Sequence, residues 1–95
     1  MTPSAKIQDH LKQRVQKSGG QYRKVRWEQR RGCPDCFVWW TWPNAAFIEV
    51  KANGDIVRPE QRREIERMRR DGVPVYIARS IEDIDRIVEE VRGAA

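Results

Sequence analysis

The chain has 95 residues, 39% hydrophobic and 35% charged, with a formal net charge of +5 at pH 7. That length supports one modest core, so a single domain over 1–95 is expected, and the balance excludes a disordered chain. No apolar run nears the ~20 residues of a membrane span, and residues 1–6 lack the apolar stretch of a signal peptide, so a cytoplasmic location is expected.

The charge is unevenly placed. Residues 1–34 carry nine Lys/Arg against Asp9 and Glu28, a surplus of seven, whereas the other ten Lys/Arg face twelve acids. A basic N-terminal third points to a polyanionic partner, in the simplest case nucleic acid, although a solvated basic helix has the same composition.

In chain order, Thr2-Pro3 reads as a helix N-cap with proline at the first helical position. Ile7, Leu11 and Val15 follow at helical spacing, and Gly19-Gly20 ends the helix. Gln8 lies at the edge of that buried stripe; Asp9 and His10 read as surface residues. A first strand is predicted over 21–27, followed by a polar loop with Arg30, Arg31 and the breaker Gly32.

A second strand is predicted over 37–42, its continuous apolar character implying burial on both faces, or of one face against another chain. Trp39, Trp40 and Trp42 exceed what so small a core needs, which suggests core packing for at least one and a subunit interface or stacking on bases for the others. Pro43-Asn44 turns the chain into a third strand over 45–51. Strand side chains alternate, so Glu49 and Lys51 share a face while Ala46, Ile48 and Val50 take the other. A carboxylate beside an ammonium, with Asp35 arriving from the neighbouring strand, suits a divalent ion and an activated water. An exposed ion pair fits the Glu-x-Lys spacing equally well.

A second helix is predicted over 59–71. Its inward stripe is Gln61, Ile65 and Met68, and its arginines interleave with Glu60, Glu64 and Glu66 as a solvent face. A short β-branched strand over 73–78 and a capped helix from Ser80, with Ile84, Ile87, Val88 and Val91 inward, complete an αβββαβα order. Residues 93–95 are expected to fray. Cys33 and Cys36 form a lone C-x-x-C; zinc needs four ligands, and His10 is the only histidine, so two ordinary thiols are expected. No phosphate-binding glycine loop and no Ser/His/Asp set can be assembled.

The run Gly19-Gly20 … Lys24-Val25, Arg30-Arg31-Gly32-Cys33-Pro34-Asp35, Phe47-Ile48-Glu49-Val50-Lys51, Pro59 with Gln61, and Gly72-Val73-Pro74-Val75-Tyr76 resembles the VRR-NUC domain. That domain is the virus-type replication-repair nuclease branch of the PD-(D/E)XK, restriction-endonuclease-like superfamily. The likeness spans about residues 7–91 and favours the stand-alone phage and bacterial type.

The resemblance implies a restriction-endonuclease-like α/β fold, a mixed sheet flanked by helices. It also implies a metal-dependent endonuclease acting on DNA, possessing Mg²⁺ or Mn²⁺ and no small-molecule cofactor. Asp35, Glu49 and the Val50 carbonyl would hold the metal. Lys51 would hold the attacking water and help to deprotonate it, and Gln61 would orient water or phosphate. Lys24, Arg26, Arg30 and Arg31 would bind flanking phosphates. The stand-alone members are associated with homodimers that cut branched DNA such as four-way (Holliday) junctions; a monomer acting on flaps is the milder version.

Where the family commonly has a metal-site glutamate on the first helix, this chain has Gln8, which keeps an acceptor oxygen but supplies no charge. Asp9 is the neighbour able to substitute. Two further readings stay open: a nucleic-acid-binding protein of the same fold with weakened chemistry, and a small regulator that binds protein through its tryptophans.

Overall fold

A computed structural model describes residues 1–93; the expected fraying at 94–95 lies outside the described residues. The order is α1 (Pro3–Lys17), β1 (Gln21–Lys24), β2 (Cys36–Trp39), β3 (Ala45–Val50), α2 (Pro59–Arg70), β4 (Val75–Ala78) and α3 (Ile81–Arg92). The sheet runs β1-β2-β3-β4. The first three strands are antiparallel neighbours, and β4 lies parallel to β3 after the α2 crossover. This is the mixed, helix-flanked α/β fold in the order read from the sequence.

Local chemistry sets the helix ends. The Thr2 hydroxyl accepts from the Ala5 N–H at 3.1 Å, and the Ser80 hydroxyl accepts from the Asp83 N–H at 3.0 Å. Each satisfies a donor that the first helical turn leaves without a partner. Ile7, Leu11 and Val15 of α1 and Ile84, Ile87, Val88 and Val91 of α3 are buried. They close one core with Cys36, Val38, Ala46, Ile48 and Ala78 from one face of the sheet. Gly20 makes room for that packing. A Cβ there would lie 2.6 Å from the Trp40 ring, whose Nε1 donates to the Ser18 hydroxyl at 3.1 Å.

Three expectations need correction. The first strand ends at Lys24 rather than at 27, because the chain leaves β2 after the Val25 N–H donates to the Asp35 carbonyl at 2.8 Å. The second strand ends at Trp39 rather than at 42, and within the chain only one of its faces is sealed. Cys36 and Val38 are sealed in the core, while Phe37 and Trp39 are only half-buried on the other side. Here α2 packs mainly beside β4, so an aromatic layer is left partly open. In that layer Phe37 and Phe47 ring centres lie 4.6 Å apart, and Trp39 and Trp27 flank them at 5.6 and 5.7 Å. Trp42 stands outside it, 77% exposed. The third correction, at Glu64, concerns the loop that carries Asp35.

Candidate active site

Sheet register brings the two acids together. The last rung between β2 and β3 pairs Cys36 with Ile48. One step further along both strands stand Asp35 and Glu49, where the sheet opens. Because β3 runs on beside β4, with the Lys51 N–H donating to the Ala78 carbonyl at 2.9 Å, Val50 and Lys51 are held firmly at this end.

Glu49 is buried, at 8% exposure. Its Oε2 accepts from Gln61 Nε2 at 3.2 Å and lies 3.6 Å from Lys51 Nζ. Burial pushes the Glu49 carboxyl above its usual range; Lys51 pulls it down, and the charge of Asp35 pushes it up again. That Asp35 is felt at Glu49 is the electrostatic mark of a shared centre. The Gln61 amide has a fixed sense, since its Oε1 accepts from the Arg58 N–H at 2.9 Å at the start of α2. Its NH₂ is therefore the end turned to the acids.

Asp35 is half-buried and met from the opposite side. Its Oδ2 accepts from Lys24 Nζ at 2.8 Å, and the same ammonium donates to Gln8 Oε1 at 3.2 Å. Lys24 thus stands inside the centre and not on its flank. Partial burial opposes its charge, but the hydrogen bond to Asp35 and the charges of Asp35 and Glu49 outweigh that and hold its pKa above the usual lysine value. Asp9 does not substitute for Gln8: it is exposed and accepts from Gln13 at 2.9 Å.

Both thiols are structural here. The Cys36 thiol lies between the Tyr22 hydroxyl at 3.5 Å and Asp35 Oδ1 at 3.7 Å, and burial pushes it up to about 11. Burial likewise pushes the Tyr22 hydroxyl well above its usual value. Cys33 turns elsewhere, to Glu64 Oε2 at 3.4 Å, so the C-x-x-C does not converge on one point.

Glu64 is the residue that sequence reasoning misplaced. It is buried at 9% exposure rather than solvated. Its Oε1 accepts from Arg30 at 2.6 Å and from Arg67 at 2.7 Å, and these bonds hold its carboxyl down to about 2. The cluster ties the loop before Asp35 to α2. Gly32 tightens the same contact: its φ is +81°, and a Cβ there would lie 2.7 Å from the Glu60 carbonyl oxygen. Asp35 and Gln61 are thereby aligned through the loop as well as through the sheet. The available signal was position, since Glu64 stands three residues after Gln61 and one before Ile65. Of the other basic residues, Arg26 and Arg31 are exposed, whereas Arg30 is engaged by Glu64.

The family profile of the VRR-NUC domain matches residues 2–82. The chain belongs to the VRR-NUC family. A solved structure described as a VRR_NUC domain is 33% identical and superposes with a TM-score of 0.86, over 94% of this chain and 97% of that one. No curated protein matches the chain. VRR-NUC proteins are nucleases, so this is a nuclease-type fold, and such a domain implies DNA as the partner. Among the described residues no helix is long and apolar enough to cross a membrane.

Nuclease families of this kind generally use divalent metals. Among the described residues no group of three or more His, Cys, Asp or Glu side chains is gathered to hold an ion. What the VRR-NUC centre offers is two carboxylates and the backbone carbonyl of Val50, the amide oxygen of Gln8 being engaged by Lys24. This all-oxygen set fits one hard divalent ion that keeps several waters, and it does not suit zinc, which wants thiolate or imidazole.

Proposed function

We propose that residues 1–95 act as a single Mg²⁺- or Mn²⁺-dependent endodeoxyribonuclease domain, hydrolysing phosphodiester bonds in branched DNA such as four-way junctions or flaps. The observation that carries this reading is that Asp35 and Glu49 are the next residues beyond the last rung of β2 and β3, with Lys51 and Gln61 both directed at the Glu49 carboxylate.

When bound, a divalent ion supplies Lewis acidity, offsetting charge on the phosphate and lowering the pKa of water. The chain does the rest. Asp35, Glu49 and the Val50 carbonyl would hold the ion. Lys51 holds the attacking water and helps to take its proton. Gln61 presents fixed N–H donors that orient water or a phosphate oxygen. Arg26 and Arg31, with whatever Arg30 donors remain after Glu64, contact neighbouring phosphates and set the register of the DNA without reading its sequence.

A homodimer places two such centres on a two-fold branch. For its interface we assign the open aromatic layer of Phe37, Trp39 and Phe47. It adjoins an apolar hollow of about 390 Å³ that Trp42, Pro43 and Pro74 help to line and that includes neither Asp35 nor Glu49. An exposed tryptophan beside an apolar hollow is a self-complementary pair of shapes.

The test is nicking of synthetic four-way junctions, flaps and linear duplex with Mg²⁺, Mn²⁺ or chelator, by wild type, Asp35→Ala and Lys51→Ala. Metal-dependent cutting by wild type alone is expected; equal activity in the three proteins removes the assignment. One observation favours the other reading, a nucleic-acid-binding protein with weakened chemistry: Gln8 brings no charge to the centre. DNA retained in a binding assay with no metal-dependent cutting selects that reading.

A further inference from the structure

The centre carries its own cation on the side where the charge is missing. Lys24 Nζ bridges Asp35 Oδ2 at 2.8 Å and Gln8 Oε1 at 3.2 Å, while Lys51 Nζ stands 3.6 Å from Glu49 Oε2. Each carboxylate has one lysine, and the formal charges of the four side chains cancel. The two lysines reach the sheet end from opposite sides, Lys24 from β1 beneath α1 and Lys51 from the end of β3.

We propose that Lys24 is a built-in counter-cation that occupies the Gln8 side of the centre and restricts this chain to one divalent ion, bound against competition from its ammonium. The inference rests on the nuclease reading and deepens it. Gln8 and Lys24 act together. An amide oxygen accepts the ammonium without adding charge, so nothing on that side draws in a second divalent ion. A carboxylate at position 8 with no ammonium beside it would create a pocket of three acids. The Lys24–Asp35 pair is also loose enough to yield. The two side chains are 50% and 46% exposed, and water screens their attraction. Asp35 would therefore be free to leave Lys24 for a divalent ion, whereas Glu49, buried beside Lys51 and Gln61, would stay in place. Lys24 acts on the ion through Asp35, so its role is positional.

The experiment counts bound Mn²⁺ by the loss of its free-ion electron paramagnetic resonance signal, with no DNA present. Wild type, Lys24→Met, Lys24→Arg and the double variant Gln8→Glu/Lys24→Met are compared, each checked for folding by circular dichroism. Lys24→Met is expected to bind one ion about ten-fold more tightly than wild type, because a competing positive charge is gone. Lys24→Arg is expected to keep the wild-type affinity, and the double variant to take two ions per chain. Lys24→Met binding no more tightly than wild type overturns the inference, as does Lys24→Arg behaving like Lys24→Met. Wild-type cleavage that persists alongside either result leaves the nuclease reading standing. Wild type that binds no Mn²⁺ and does not cut brings down both.

Discussion

Two buried glutamates, fifteen positions apart in sequence, show opposite uses of burial. Glu64 is saturated: Arg30 and Arg67 donate to it at 2.6 and 2.7 Å, the Cys33 thiol caps its other oxygen, and its carboxyl sits at about 2. Glu49 is underserved: one amide at 3.2 Å, one ammonium at 3.6 Å, a second acid nearby, and a carboxyl pushed up by burial. A saturated carboxylate has no affinity left for an outside cation and works as a clamp. An underserved one retains that affinity, and the fold bears the cost of keeping it. The same residue type is an anchor for the Asp35 loop in one place and, in the proposed function, a metal ligand in the other.

The largest effect should come from Glu49→Gln. Cleavage in the nicking assay is expected to fall about 10³-fold, as for loss of a central electrostatic group. The melting temperature should hold or rise, because a poorly compensated buried charge is removed. A stability loss with activity kept would erase the contrast between the two glutamates.

Glu64→Gln should do the reverse. With allowance for the solvent around Arg30 and Arg67, it is expected to cost about 1–2 kcal/mol, lowering Tm by about 5–10 °C. Cleavage measured well below the melt should drop less than about ten-fold, since no ligand is lost.

The pH dependence separates the pair by sign. Glu64 has its folded pKa lowered from 4.5 to about 2. Its contribution is fully present above pH 4.5 and is lost as pH falls through about 2. Glu49 has a raised folded pKa, so its ionisation lowers stability, which returns as pH falls through the raised value. Acid melts of wild type and Glu64→Gln should therefore converge between pH 4.5 and 2. Melts of wild type and Glu49→Gln should converge sooner on acidification, above pH 4.5.

The smallest effect concerns the loop arginines. Arg31→Ala should weaken DNA binding a few-fold and reduce the slope of log affinity against log salt by about 1. Arg30→Ala should reduce that slope by less, because Glu64 already neutralises it. Equal slopes for the two variants would mean that Arg30 leaves Glu64 when DNA arrives.

Much of the fold was legible because it is local. Thr2-Pro3, Ser80 with Asp83, the stripes Ile7/Leu11/Val15 and Ile84/Ile87/Val88/Val91, and the alternation through β3 each declare themselves within a few residues. The inward aim of Gln61 was legible for the same reason, since helical spacing put it on the Ile65 stripe. Glu64 was not, because a carboxylate among arginines reads as solvated until a loop from elsewhere covers it. Lys24 was not, because its strand reads as basic surface, and only pairing with Cys36 sets it one residue from Asp35.

By itself, then, the chain's order of residues determined helices, strands, their buried faces and the kinds of side chain available for chemistry. Those follow from hydrophobic periodicity and capping, which act over a turn or two. Tertiary structure alone decided which basic groups meet which acids: Lys24 on Asp35, Arg30 on Glu64. Electrostatic partnership depends on distances of 3–4 Å across strands and loops, and local spacing carries no record of those distances.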